Sequence, residues 1–138
     1  MKLYLIIGIP GAGKSTKAKS IINEYNKNHL AINHYEADMF FEQSGIYKFD
    51  VAKLGIAHQW CQNKTEESMK KGIDVIVSNT SLTAWERKPY LTLAKKYHYE
   101  VEVITCNGGY KNIHGVPEEA LERMKKKYQP YDEKENLL

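Results

Sequence analysis

The first sixteen residues, numbered 1–16, read MKLYLIIGIPGAGKST. An apolar run from Leu3 to Ile7 leads directly into glycines, a lysine and two hydroxyl residues. From Gly8 onward the letters satisfy G-x-x-x-x-G-K-[ST], the pattern of a loop that binds phosphate. In such a loop glycines let backbone N–H groups surround a phosphate, and the following helix directs its positive N-terminus toward the same group. The stretch therefore predicts a buried strand, a phosphate-binding loop and a helix that begins at Lys14.

This loop predicts that the chain binds a nucleoside triphosphate together with Mg²⁺. Lys14 is expected to reach the β- and γ-phosphates, and the Ser15 hydroxyl is expected to bind Mg²⁺. Apolar residues at helical spacing support a helix over 14–26. A glycine-rich turn with an incidental lysine is the alternative. The residues predicted to contact the nucleotide are Gly8, Pro10, Gly11, Ala12, Gly13, Lys14, Ser15 and Thr16.

Composition limits the class of protein. The chain of 138 residues suffices for one core, and we expect a single domain over 1–130 followed by a polar tail over 131–138. A net charge of +3 does not by itself indicate a nucleic-acid-binding protein. Cys61 and Cys106 lack metal or redox spacing, no signal peptide precedes the first strand, and no apolar run approaches the roughly 20 residues that span a bilayer. We therefore expect a cytoplasmic protein without a membrane partner, and an oligomer is possible.

Short apolar runs alternate with helical patterns along the chain. We predict strands over 3–7, 31–35, 73–80 and 101–105. Besides the first helix, we predict one from Asp50 to Lys71, one that starts at a capping box on Thr83 and is bent or restarted at Pro89, and one from Pro117. This alternation predicts an α/β three-layer sandwich with a four-stranded, mostly parallel sheet.

Polar residues follow two predicted strands at the edge where the phosphate loop lies. Ligands of open α/β sheets gather at the carboxyl ends of the strands, so Asp38 is expected at this edge. Its carboxylate can accept a proton from a substrate hydroxyl; a helix cap or turn aspartate is the alternative. The third strand ends in Ser78 and Asn79, where such proteins usually carry an acid that helps to hold Mg²⁺. We expect Ser78 and Asp38 to contact the metal through water, or the metal to depend more on the nucleotide and Ser15.

Arginine is scarce, since 18 lysines accompany two arginines. A guanidinium is the usual clamp for charge that develops in phosphoryl transfer, so both positions are candidates. Arg87, near the start of the helix capped at Thr83, is predicted to point toward the functional edge and take part in catalysis; a solvated arginine is the alternative. Arg123 lies in a basic patch of the last helix and is a candidate nucleotide contact, although such patches are more often solvated faces.

Two irregular segments border this edge. Residues 39–49 contain Phe40, Phe41, Tyr47 and Phe49, which either stack on a base or sugar or pack in the core. Residues 106–116 follow the fourth strand and are predicted to form a lid that closes over the nucleotide phosphates.

Together, these motifs resemble a small P-loop kinase. The chain is similar to the 5′-kinase domain of phage polynucleotide kinase and to related zeta-toxin and polynucleotide-kinase-like ATP-binding proteins, from residue 1 to about 128. The resemblance implies a P-loop NTPase fold of the kinase type, with ATP and Mg²⁺ as cofactors. The motifs that carry it are GIPGAGKST at 8–16, the strand end at 75–81, WERKPY at 85–90 and NIHGVP at 112–117.

The resemblance also implies roles for single residues. In the polynucleotide kinases an aspartate after the second strand is the general base for the 5′-hydroxyl, and Asp38 matches it. An arginine follows three residues later in those kinases, where this chain has Phe41. Lys111 falls near their lid arginine and is the catalytic candidate there.

The implied activity is transfer of the γ-phosphate of ATP to a hydroxyl of a polynucleotide, at its 5′ end, or of a nucleotide. Nucleic acid or a nucleotide is thus the expected acceptor. The alternatives are an ATP-binding regulatory module without kinase turnover and a nucleoside or nucleotide kinase.

Overall fold

The fold is built on a four-stranded sheet in the order β2-β3-β1-β4, and the computed structural model describes residues 1–107 and 117–137. Each strand pairing recorded among these residues is parallel. Parallel neighbours need crossover connections, which the helices supply. The strands are β1 (Lys2–Ile7), β2 (Ile32–Tyr35), β3 (Asp74–Val77) and β4 (Glu100–Thr105), and the helices are α1 (Lys14–Lys27), α2 (Leu54–Lys70), α3 (Ala84–Lys96) and α4 (Glu118–Lys127).

Strand β1 divides its side chains between two apolar layers. Leu3, Leu5 and Ile7 pack with residues of α2 and α3, whereas Tyr4 and Ile6 pack with residues of α1. A parallel sheet is covered on both faces, so its central strand carries apolar side chains toward both layers. The predicted three-layer α/β fold is therefore confirmed, and the phosphate loop leaves the sheet from its centre.

Local signals in the sequence set most helix ends. The Asp50 carboxylate accepts a hydrogen bond from the Ala52 N–H at 3.0 Å and starts a short 3-10 turn, Val51–Lys53, before α2. The Thr83 hydroxyl accepts from the Glu86 N–H at 3.3 Å, so the predicted cap of α3 is present. Gly72, with a φ of +70°, follows the end of α2 because glycine enters this left-handed region without steric cost.

The predicted restart of α3 at Pro89 is wrong, because one helix runs from Ala84 to Lys96 with the proline inside. Proline removes one backbone hydrogen bond and crowds the preceding turn. Tyr90, Leu91 and Ala94 on the same helix are buried in the main apolar cluster. Their burial offsets that local cost.

Arg87 lies inside the protein, with 0% of its surface exposed. Its Nε and Nη2 atoms donate to the two carboxylate oxygens of Glu135, both at 2.9 Å. Its Nη1 atom donates to the Ser81 carbonyl at 2.7 Å, and Nη2 also donates to the Gln129 carbonyl at 2.9 Å. The predicted position at the functional edge and the alternative of a solvated arginine are both wrong. Arg87 instead joins α3 to the C-terminal segment, because a carboxylate 48 residues away compensates its charge.

The C-terminal segment, predicted as a polar tail, is anchored. Residues Glu133–Leu137 form a 3-10 turn that carries Glu135, and Tyr131 packs against the main apolar cluster. Burial alone would raise the pKa of Glu135, but the hydrogen bonds from Arg87 and the Asp132 N–H leave it below its ordinary value. The segment is thus held by an ion pair and by an aromatic contact.

None of the helices in the described part of the chain combines the length and the apolar character that a membrane span requires.

We expect Arg87→Ala to lower the free energy of unfolding by about 3–5 kcal/mol, because it removes a fully buried guanidinium and leaves the partly buried Glu135 carboxylate without its partner. Urea unfolding monitored by circular dichroism measures this loss. Arg123→Ala is the matched control, since Arg123 is the other arginine and is exposed on α4; its cost should stay within about 0.5 kcal/mol. Equal losses in the two variants would contradict the anchoring role of Arg87.

Candidate active site

An open groove of about 1330 Å³ lies at the carboxyl ends of the strands, where parallel sheets bind ligands. It is bounded by the loop after β1, the segment after β2, the end of β3 and the first part of α3. The groove brings together residues that the sequence predicts for a single site. The predicted residues that line it are Pro10, Gly11, Gly13, Lys14, Ser15, Thr16, Asp38 and Ser78.

The loop after β1 has the backbone conformation that its glycines permit. Gly11 and Gly13 have φ values of +82° and +98°, in the region that L side chains rarely adopt. Gly13 is the residue before α1, and its carbonyl accepts the first helical hydrogen bond, from the Lys17 N–H at 3.0 Å. The helix N-terminus therefore begins inside the loop and favours an anion there.

Gly8 and Ala12 are buried and do not line the groove, so they shape the loop from behind. A Cβ atom on Gly8 would lie 2.7 Å from the Cys106 carbonyl oxygen and 3.1 Å from the Ala12 Cβ. The Cys106 N–H donates to the Ile7 carbonyl at 2.7 Å, which fixes this part of the backbone beside the loop. Position 8 therefore has no room for a side chain.

The Lys14 side chain folds back over its own loop. Its Nζ atom donates to the Gly8 carbonyl at 2.8 Å and to the Ile9 carbonyl at 3.0 Å. Burial lowers the pKa of Lys14, while the negative charge of Glu36 opposes that shift. Its present hydrogen-bond partners are neutral, so a phosphate oxygen would offer the ammonium group a stronger, charged partner.

Asp38 lies in the 3-10 helix after β2, Ala37–Glu42, and its carboxylate is held by an aromatic residue. The Tyr47 hydroxyl donates to Asp38 Oδ1 at 2.8 Å. Partial burial, this hydrogen bond and the negative charge of Asp38 raise the pKa of Tyr47 to about 12, so the phenol keeps its proton near neutral pH. The expected carboxylate is therefore in the groove, with a donor that orients it.

Sequence reasoning missed Glu36, which also lines the groove. The Ser78 hydroxyl donates to Glu36 Oε2 at 3.0 Å, and the His34 Nε2 atom lies 2.6 Å from the same hydroxyl. Burial lowers the pKa of His34, which favours the neutral ring. The missing signal was the strand order, because only the pairing of β2 with β3 places Glu36 beside Ser78.

Asn79 holds in place the acidic segment that follows β2, from Glu36 to Asp38. Its Oδ1 atom accepts from the Ala37 N–H at 2.7 Å, and its Nδ2 atom donates to the Tyr90 hydroxyl at 3.2 Å. Asn79, two residues after the end of β3, thus fixes the backbone between Glu36 and Asp38.

The aromatic segment divides between the core and the groove. Phe41 is buried in the main apolar cluster and Phe40 packs against that cluster. Tyr47 and Phe49 are 48% and 54% exposed and line the groove, and both rings contact Phe41 edge to face. Trp85, at the start of α3, lines the groove as well and is 82% exposed.

Besides Gly8 and Ala12, two predicted residues of the described part of the chain do not line the groove. Arg87 is buried as described above, and Arg123 is exposed on α4 and does not line the groove, although Met124 and Lys127 do. Lys111 and most of the predicted lid lie outside the described residues. Both arginines of the chain are therefore away from the site, and its lining cations include Lys14, Lys88 and Lys127.

The donor atoms of the groove suit Mg²⁺ bound together with a phosphate. Within residues 1–107 and 117–137, no three His, Cys, Asp or Glu side chains are arranged to hold a metal by themselves. Mg²⁺ usually combines one or two carboxylates with substrate phosphates and water. The exposed Ser15 hydroxyl and the carboxylates of Glu36 and Asp38 provide oxygen ligands of this kind.

We expect Gly8→Ala to destabilise the protein by about 1–3 kcal/mol, because the new methyl group would press on the Cys106 carbonyl. Gly55→Ala is the control: a Cβ there meets nothing within 4 Å, and alanine in α2 should instead stabilise by about 0.4–1 kcal/mol. Thermal and urea unfolding of both variants measure the difference. A Gly8→Ala variant as stable as the unmodified chain would show that the contact is not tight.

Comparisons with known proteins agree with this arrangement. Human NEDD4-binding protein 2 is 38% identical over 139 residues, which cover 94% of this chain but 8% of that protein. The APS kinase of Mycobacterium tuberculosis in complex with AMPPNP and APS has a TM-score of 0.62 at 16% identity, over 88% of this chain and 66% of that one. A chain of the Pnkp1/Rnl/Hen1 complex has a TM-score of 0.61 at 19% identity, over 88% of this chain and 38% of that one. These structures share a P-loop kinase-like fold with the chain. Residues 3–109 match the AAA domain family, and the chain therefore belongs to that family.

Proposed function

We propose that the protein transfers the γ-phosphate of ATP to a hydroxyl of a polynucleotide, at its 5′ end, or of a nucleotide. One observation carries this proposal: a phosphate-binding loop with its lysine and an oriented carboxylate, Asp38, line the same groove. A donor phosphate and an acceptor hydroxyl would therefore meet in one place. The name of the Pnkp1/Rnl/Hen1 complex and the kinase among the similar folds are consistent with this class of reaction.

In the proposed reaction, the loop amides and Lys14 hold the β- and γ-phosphates of ATP. The acceptor oxygen attacks the γ-phosphorus, Asp38 takes the proton of the acceptor hydroxyl, and ADP leaves with the electrons of the broken P–O bond. Phosphoryl transfer depends mainly on positioning and on neutralisation of charge. A bound Mg²⁺ would supply part of that neutralisation, with Ser15 among the residues that hold it.

The cations of the groove also bear on the mechanism. Since neither arginine reaches it, Lys14, Lys88 and Lys127 are the described groove residues that can face phosphate charge with an ammonium group. An ammonium is a point charge, whereas a guanidinium can bind phosphate through two parallel hydrogen bonds. This difference predicts slower transfer than in kinases that use arginine. Lys111 stays a candidate for the same task.

The aromatic residues support an acceptor that carries a base. Tyr47 and Phe49 expose ring surface beside Asp38, and stacking on such rings is how many proteins hold single-stranded nucleic acid. Phe41 replaces the arginine of the polynucleotide kinases, so this point of the groove offers an apolar contact and no phosphate clamp.

A second candidate is an ATP-binding regulatory module that does not turn over. Two observations favour it: the residue after β3 is Ser78 and not an acid, and the groove contains no arginine among its described residues. ATP would then bind without transfer to any acceptor. Both candidates bind ATP, and they differ in whether phosphate is transferred to an acceptor.

We expect Asp38→Asn to lower the rate of phosphate transfer by about 10²–10⁴-fold, because the proton acceptor is lost, and to leave the affinity for AMPPNP in EDTA unchanged. Transfer from labelled ATP to a 5′-hydroxyl oligonucleotide, a 5′-phosphorylated oligonucleotide and free nucleosides measures the rate and the acceptor class. Glu42→Gln, at the exposed end of the same 3-10 helix, is the control. Full activity of Asp38→Asn would remove Asp38 from this role, whereas AMPPNP binding without transfer to any acceptor would favour the regulatory module.

We expect Tyr47→Phe to reduce kcat about tenfold with little change in KM for ATP, because the variant keeps the ring and loses the hydrogen bond that orients Asp38. Steady-state kinetics with saturating acceptor separate the two constants. Tyr99→Phe is the control, since that hydroxyl donates to the Ile73 carbonyl, next to the amino end of β3. An unchanged kcat in Tyr47→Phe would show that the hydrogen bond does not position the carboxylate for reaction.

A further inference from the structure

The position that follows β3 holds no acid in this chain, but a carboxylate lies directly beside it. Strands β2 and β3 pair in parallel with Tyr35 opposite Val77, so Glu36 and Ser78 are the next pair in the same register. The Ser78 N–H donates to the Tyr35 carbonyl at 3.2 Å, which continues the pairing beyond the strand ends. The two residues are therefore neighbours across the sheet, at the edge where the phosphate loop lies.

Hydrogen bonds fix the direction of the Glu36 side chain. Ser78 is 2% exposed, and its hydroxyl gives its one proton to Glu36 Oε2 at 3.0 Å. The close contact of that hydroxyl with His34 Nε2, at 2.6 Å, must then be a hydrogen bond that His34 donates. A chain of donors thus runs from His34 through Ser78 to Glu36. The last acceptor of this chain is Glu36, which lines the groove.

The phosphate loop lies within electrostatic reach of the same carboxylate. Glu36 lines the groove together with Gly13, Lys14 and Ser15, and its charge acts on the Lys14 ammonium. A carboxylate that shares the groove with the loop serine is one of the oxygen ligands, direct or through water, that Mg²⁺ takes beside nucleotide phosphates. Glutamate also has one methylene more than aspartate, which extends its reach from the neighbouring strand.

We propose that Glu36, at the end of β2, supplies the carboxylate that holds the nucleotide-bound Mg²⁺, and that Ser78 and His34 position it. In this arrangement the acid follows β2, whereas such proteins usually carry it at the end of the third strand. Ser78, predicted to contact the metal through water, acts on the metal through Glu36 instead. The inference rests on the proposed binding of ATP and deepens it, because it names the metal ligand of that site.

The test is the gain in nucleotide affinity that Mg²⁺ produces, measured without turnover. Calorimetry gives the Kd of AMPPNP in EDTA and the Kd with Mg²⁺. The ratio of the first value to the second measures how strongly Mg²⁺ increases nucleotide affinity. We expect Glu36→Gln to reduce this ratio about tenfold or more while the Kd in EDTA changes little. The electron paramagnetic resonance spectrum of Mn²⁺ with AMPPNP should show correspondingly less bound metal in the variant.

Two further variants make the test specific. Glu67→Gln, an exposed residue of α2 that pairs with Lys64, should leave the ratio unchanged. Ser78→Asp placed in the Glu36→Gln background returns an acid to β3, and we expect it to restore at least part of the ratio. If Glu36→Gln does not fold, Glu36→Ala removes the same carboxylate and gives the same comparison.

The outcomes separate this inference from the proposed function. If the unmodified protein binds no AMPPNP, the proposed function fails and the inference fails with it. If AMPPNP binds and Mg²⁺ strengthens binding equally in the unmodified protein and in Glu36→Gln, the role of Glu36 is overturned while nucleotide binding stands. A ratio that falls in Glu36→Gln and rises again with Ser78→Asp supports the assignment.

Discussion

Parallel pairing of β1 with a strand on each side is the constraint on which the structure depends. It places the most apolar strand at the centre, under helices on both faces, and it directs the carboxyl ends of all four strands to one edge. The loop after β1, the acidic segment after β2 and the polar end of β3 are thereby brought into one groove. The chemistry of the site follows from this convergence, since its residues lie as far apart in sequence as Pro10 and Lys127.

The hydrogen-bond partners of Arg87 and Lys14 differ, and this difference separates a structural cation from one suited to binding. Arg87 is surrounded by a bidentate carboxylate and two carbonyls, so its hydrogen-bonding capacity is satisfied by the protein. Lys14 bonds only two carbonyls of its own loop among its recorded hydrogen bonds, and it borders an open groove. A buried charge whose partners can be replaced by an anion is suited to binding, whereas a fully paired one is suited to anchoring. Both residues were predicted for the site, and of the two the lysine lines the groove.

The sequence predicted the elements of the fold well because their signals are local. The glycine pattern after β1, the cap at Thr83 and the apolar run of β3 each depend on neighbours within a few residues. The errors concern contacts between distant residues. Arg87 was assigned to the site because its partner, Glu135, lies in a segment that was predicted to be a polar tail. Glu36 was overlooked because its position beside Ser78 depends on the pairing of β2 with β3. Neither a helical period nor a short motif contains that information.

The position of Trp85 also affects how this protein can be studied. The chain has two tryptophans: Trp60 packs among Tyr35 and Phe40, and Trp85 stands at the wall of the groove, largely in solvent. Indole emission depends on the polarity around the ring, so a ligand that covers Trp85 would alter its fluorescence while Trp60 serves as an internal reference. The groove thus contains an intrinsic optical probe, and occupancy can be followed without a label attached to either partner.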